Sequence, residues 1–152
     1  MNESWTREVL RESVEDVLAK MFFVETLGES ASEPGAPPAA AMGAEVTFEG
    51  EPAGTLTMRL TTSAADQIAA DFLGLDAEVV SPSRVAEVVC ELANMICGSV
   101  LSRLESATAF HLATPRIVPL PECASAPADA IRYAAELSNG ELAVDLTMGT
   151  RT

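Results

Sequence analysis

Between Trp5 and Thr26 the apolar residues Val9, Leu10, Val14, Val17, Leu18 and Met21 recur at intervals of three and four, with Arg and Glu between them. That spacing draws one apolar stripe on a 3.6-residue period and predicts an amphipathic helix, which Gly28 ends. Positions 29–43 are mostly Ser, Pro, Gly and Ala and cannot build a packed element, so they read as a flexible loop that tolerates truncation. The period then falls to two. Segments 44–49 and 55–60 alternate apolar and polar residues around Gly50-Glu51-Pro52-Ala53-Gly54, which predicts a β-hairpin.

Ser63 followed by Asp66 resembles a capping box; it predicts a short helix carrying Ile68, Ala69, Phe72 and Leu73 that stops at Gly74. Ser81-Pro82 supplies an N-cap with proline at the first helical position, and the absence of another proline predicts a long helix over about 82–106. Three strands follow, at 110–120, 131–138 and 141–148, the last two joined by the hairpin turn signal Asn139-Gly140. Helices and antiparallel strands are thus segregated along the chain. The fold class is α+β, an antiparallel sheet packed by a long central helix and two further helices. At 152 residues and 48% hydrophobic, the chain is sized for one domain over 1–152 with a real core.

Composition narrows the function classes. The formal net charge of −14 sets the surface against phosphate backbones and anionic lipid, which argues against nucleic acid and membrane partners. Apolar runs break well short of the roughly 20 residues of a membrane span, so no transmembrane helix is expected. The start, Met1 to Glu8, has no basic segment followed by an apolar one; it does not look like a signal peptide, and a cytoplasmic location is expected. Cys90, Cys97 and Cys123 have no metal-ligand spacing and read as reduced, buried thiols. His111 falls in a strand segment, where a structural role is expected. No nucleotide loop, catalytic triad or metal cluster is present, which sets a metabolic enzyme aside.

On the long helix, a 100° step puts Val85, Val89, Leu92, Ala93, Ile96, Val100 and Leu104 on one broad face. The opposite face carries Arg84, Glu87, Glu91, Asn94, Gly98, Ser102 and Glu105. Glu91 and Asn94 are neighbours on that surface and project in nearly the same direction. Gly98 lies one turn beyond, and a glycine inside a helix hints at the close approach of another backbone. The same E-x-x-N spacing at Glu136 to Asn139 has no such meaning, because Asn139-Gly140 is a turn signal.

The segment Glu91-Leu92-Ala93-Asn94-Met95-Ile96-Cys97-Gly98-Ser99-Val100 resembles the signature of the CheC, CheX and FliY phosphatases, in which ELxNMIxG lies in the middle of a long helix and a proline follows. Pro115 stands in that place, slightly closer to Asn94 than the family's usual interval, and Glu87 stands where the pattern often has Asp or Ser. The order of elements along most of the chain is also similar to CheX. CheC proteins carry a second copy of the motif on the first helix; here that helix has no asparagine beyond Asn2, so a single site and a CheX-like protein are implied.

The resemblance implies hydrolysis of the aspartyl phosphate of a CheY-type response regulator. Asn94 would orient the attacking water and Glu91 would pair with the regulator's lysine. Glu87, Gly98 and Ser102 would border the docking surface. Any Mg2+ would come with the regulator, so this chain itself needs no metal or other cofactor, and a homodimer is expected. Two other readings remain open on the sequence: a non-catalytic docking module for a regulator, a receptor-array protein or a flagellar switch component, and an adaptor that dimerises through sheet edges.

Overall fold

The computed structural model describes residues 3–29, 41–50, 53–104, 110–118, 130–138 and 140–148. Helix α1 runs Glu3–Met21 and buries Val9, Leu10, Val14, Val17 and Leu18, the stripe predicted from the spacing. It ends earlier than Thr26: Met21 is exposed, and Phe22 takes its place in the core. The chain reverses there because the N–H groups of Phe22 and Val24 both bond to the Leu18 carbonyl, with Phe23 between them at φ +59°. A short strand β1, Gly28–Glu29, follows, so Glu29 belongs to the sheet instead of the predicted loop. At the other end of that loop, strand β2 (Ala41–Glu49) begins earlier than the predicted 44. The loop's remaining positions, 30–40, lie outside the described residues.

Strands β2 and β3 (Gly54–Thr61) pair antiparallel as the expected hairpin. Helix α2 spans Thr62–Leu73 and stops at Gly74, whose φ of +69° is the left-handed conformation that ends a helix most cheaply when no side chain is present. The capping box at Ser63 is not what starts α2: the N-cap is Thr61, and its hydroxyl accepts from Glu141 N–H instead of capping the helix. After a short 3-10 turn, Ala77–Val79, helix α3 runs Pro82–Arg103 with Ser81 as its N-cap and proline at its start.

The segment predicted as one strand over 110–120 is two, β4 (His111–Leu112) and β5 (Arg116–Val118), both pairing with β2. Strands β6 (Ile131–Leu137) and β7 (Gly140–Met148) close the sheet. Leu137 pairs with Gly140, so Gly140 is already a strand residue; Asn139 lies outside the described residues. A Cβ at Gly140 would lie 1.9 Å from the Thr61 hydroxyl, which explains the glycine. The seven strands are ordered β1-β6-β7-β3-β2-β4, with β5 also on β2, all antiparallel.

All three helices lie on one side of this sheet. Val46, Phe48, Leu56, Met58, Leu60, Tyr133, Leu142, Val144 and Leu146 share a single core with the buried stripes of α1, α2 and α3. By length and hydropathy α3 is apolar enough to cross a membrane. Its apolar stripe is instead accounted for by burial in this core: Val89, Leu92, Ala93, Ile96 and Val100 are all fully covered.

The opposite face of the sheet is polar and organised by charge. Register aligns Arg132, Asp145, Thr57, Glu45 and Arg116 in one row across β6, β7, β3, β2 and β5. Arg132 donates to both oxygens of Asp145 at 2.6 and 3.1 Å, and Arg116 donates to Glu45 at 3.0 Å. From the neighbouring row Arg59 reaches Asp145 at 3.4 Å, and both side chains are buried. Burial pushes the Asp145 carboxyl up from its ordinary value, against the opposing pull of Arg132. Two guanidiniums thus converge on one buried carboxylate.

Removing one member of a buried ion pair leaves uncompensated charge, so Asp145→Ala should cost about 3–5 kcal/mol in urea unfolding. A loss near zero would contradict the network's role. Phe23 is 75% exposed, so it loses little burial on truncation, while a non-glycine residue in the left-handed region costs about 1–2 kcal/mol. Phe23→Gly should therefore leave the melting temperature unchanged or raised; a clear drop would show that the ring supports the fold.

Candidate active site

Helix α3 carries the site, and its phase is set by what it must bury. The Ser81 hydroxyl accepts from Arg84 N–H at 3.3 Å and fixes where the helix begins. From that start, the predicted stripe Val85, Val89, Leu92, Ala93, Ile96 and Val100 is buried, as is Leu104 at the C-cap. Glu87 and Glu91 are consequently exposed and Asn94 half-buried. Glu91 and Asn94 sit at the i, i+3 spacing that places side chains side by side, with Cβ atoms about 5–6 Å apart.

Glu87, Glu91 and Asn94 line one side of an open groove of about 340 Å³, faced by Thr114, Pro115 and Ile117. The structure thus brings Pro115 against the E-x-x-N pair although the two are well separated in sequence. Among the described residues neither Glu87 nor Glu91 has an ion-pair partner; the arginine nearest in sequence to the far wall, Arg116, is engaged by Glu45. The Asn94 amide has no hydrogen-bond partner among the described residues. The groove therefore offers free carboxylates and one free amide, a set that can receive a cation and orient a water.

Gly98 and Ser102 lie further along the outward face, outside this groove. A Cβ added at Gly98 would meet nothing within 4 Å, so among the described residues no other backbone approaches it closely. The Ser102 hydroxyl donates to the Ser99 carbonyl at 2.9 Å, within its own helix. Glu105 lies outside the described residues. His111 is exposed in β4, opposite Glu49 of β2.

The thiols are not poised for chemistry. Burial pushes Cys97 up to about 12 and raises Cys90 as well, so neither is a ready thiolate. Cys123 lies outside the described residues. Among the described residues no group of three or more His, Cys, Asp or Glu side chains could hold a metal ion. The groove's chemistry is that of carboxylates and an amide.

Sequence reasoning named Glu91 and Asn94 and the place of Pro115 but missed Thr114, Ile117, Ala86 and Cys90 as groove residues. Periodicity predicted a continuous strand over 110–120. The break that sets Thr114 and Pro115 against α3 carries only one sequence signal, the proline itself, which has no N–H to give a ladder.

Comparison with known proteins bears on the family and the fold. The family model "Chemotaxis phosphatase CheX" matches residues 42–134, a span that includes the hairpin, α2, α3 and both groove walls. No curated protein matches the chain by sequence. Among solved structures, the chemotaxis protein CheX from Vibrio vulnificus superposes with a TM-score of 0.74 at 18% identity, covering 98% of this chain and 99% of that one. CheX of Borrelia burgdorferi, solved as a CheX-CheY-BeF3-Mg2+ complex, superposes at 0.76 with 15% identity over 94% of this chain and 97% of that one. Thermotoga maritima FliY is more distant, at 0.55 and 13% identity over 94% and 88%. At these identities the superpositions show a shared fold, and the family match does the assigning: this chain is a member of the CheX chemotaxis phosphatase family.

Proposed function

We infer that this protein hydrolyses the aspartyl phosphate of a CheY-type response regulator, using Asn94 and Glu91 on the outward face of α3. The observation that carries the reading is an Asn94 amide and a Glu91 carboxylate without partners among the described residues, at the mouth of a groove that another protein's surface can enter. A relative of the same fold, the Borrelia burgdorferi CheX, was solved in a complex with CheY, BeF3 and Mg2+, which supports a CheY-type partner for this chain as well.

In the proposed mechanism the Glu91 carboxylate pairs with a lysine of the regulator and fixes the docked orientation. Asn94 then projects at the phosphoryl group. Its carbonyl oxygen accepts a hydrogen bond from a water and holds that water in line with the phosphorus. Water oxygen bonds to phosphorus as the phosphorus–oxygen bond to the regulator's aspartate breaks, releasing inorganic phosphate and a free carboxylate. Positioning supplies the acceleration, so this chain contributes no nucleophile and no metal; the Mg2+ belongs to the regulator. The reading places the protein in the cytoplasm with its regulator. It also includes a homodimer, for which the sheet edges at β1 and at β4 and β5 offer strand surfaces.

The decay of phosphorylated CheY-type regulators from the same genome, followed with Mg2+, tests the mechanism. Wild-type protein should accelerate decay, and Asn94→Ala should lose on the order of 100-fold of that acceleration by misplacing the water. No acceleration with any regulator would leave a docking module. Glu91→Ala should act mainly on docking, raising KM about tenfold or more through loss of a charge-assisted contact. An unchanged KM would separate Glu91 from docking.

A further inference from the structure

The edge of the sheet beside α3 contains one residue more than its partner strand. Phe48 of β2 pairs with Leu112, and Glu45 of β2 pairs with Arg116. Three steps along β2 are thus matched by four along the edge, which defines a β-bulge over Ala113 to Pro115. Ala113 keeps the ladder with its N–H on the Thr47 carbonyl at 2.8 Å, while Pro115 has no N–H to continue it.

The extra residue reverses the side-chain alternation. Leu112 pairs with Phe48 and Ile117 with Ala44, so both occupy the helix side of the sheet although they are an odd number of positions apart. In an unbroken strand Arg116 would face α3 and Ile117 would face away. The bulge sends Arg116 to Glu45 on the far face and presents Ile117, Pro115 and Thr114 to α3, where Ala86 and Cys90 complete the wall. Ile117 remains 37% exposed, so it is presented to the groove and not consumed by the core.

We propose that this bulge-built apolar pocket receives one apolar side chain of the response regulator, next to the lysine that Glu91 pairs with, and that its shape selects among regulators. The inference rests on the docking reading of Glu91 and Asn94 above. Its occupant follows from the groove's two halves: carboxylates at Glu87 and Glu91 without an ion-pair partner among the described residues, and an apolar wall of Ala86, Cys90, Pro115 and Ile117. A complementary surface carries a cation with an apolar side chain beside it. At about 340 Å³ the groove has room for one or two side chains and sits at the lower end of the roughly 300–1,000 Å³ of ligand pockets. At this groove, Glu87 and Glu91 disfavour the matching acidic α3 face of a second copy.

Two variants test the pocket from opposite walls: Ala86→Phe fills it from α3, and Ile117→Ser removes its apolar floor from β5. Binding is read with regulators carrying BeF3 and Mg2+ as a phosphoryl mimic, and turnover with phosphorylated regulator over a concentration series. Each variant should weaken Kd and raise KM about tenfold, the effect of losing one buried apolar side chain. Values of kcat should stay within about twofold of wild type, with unchanged thermal melts confirming the fold. Variants that bind as wild type does, while Glu91→Ala does not, would overturn the pocket and leave the docking reading standing. So would a loss confined to kcat. Wild type that binds without accelerating decay would overturn the phosphatase reading, and the binding series would still decide the pocket; wild type that binds no regulator would overturn both.

Discussion

The burial of one face of α3 against the sheet is the constraint on which the rest of the site depends. Val89, Leu92, Ala93, Ile96 and Val100 are completely covered, and they leave the helix no rotational freedom. Turning α3 by a single residue's step would drive Glu91 toward the core, and an unpaired buried carboxylate costs several kcal/mol. The outward aim of Glu91 and Asn94 is therefore a consequence of packing, with no dedicated contact needed to hold it. The same packing explains how a helix apolar enough for a membrane sits inside a sheet-and-helix domain.

How much was legible in the sequence depends on whether the signal was local. The stripe of α3 and its start at Ser81-Pro82 are written within one helix, and their observed burial and capping match residue for residue. The hairpin of β2 and β3 and the stop of α2 at Gly74 were likewise readable, because alternation and glycine act over a few positions. What the sequence hid depends on partners distant in the chain. The N-cap of α2 is Thr61, whose hydroxyl accepts from Glu141 and makes no cap hydrogen bond, an arrangement no capping pattern could show. The left-handed Phe23 stands where glycine is the usual choice, so the end of α1 was placed too late.

The bulge is the clearest case of this difference. Alternation from 110 to 120 predicts one strand, because a single extra residue is visible only against the register of β2. Yet this residue decides which side chains face α3. It turns Ile117 toward the groove and Arg116 toward Glu45, and so keeps a cation out of an acidic, partly apolar cleft. The far face of the sheet shows a related principle. Arg59, Arg132 and Asp145 come from three strands and meet only through pairing, so their buried cluster could not be foreseen from any one segment.

The chain belongs to the CheX family, and the proposed regulator surface is the outward face of α3 with its groove. The most direct measurement of that claim is chemical-shift mapping of the isotopically labelled protein during titration with a BeF3-activated, Mg2+-bound CheY-type regulator. The account predicts that the strongest perturbations fall on Glu87, Glu91, Asn94, Thr114 and Ile117. Perturbations concentrated on the polar face around Thr57 and Arg132, with α3 unaffected, would contradict it.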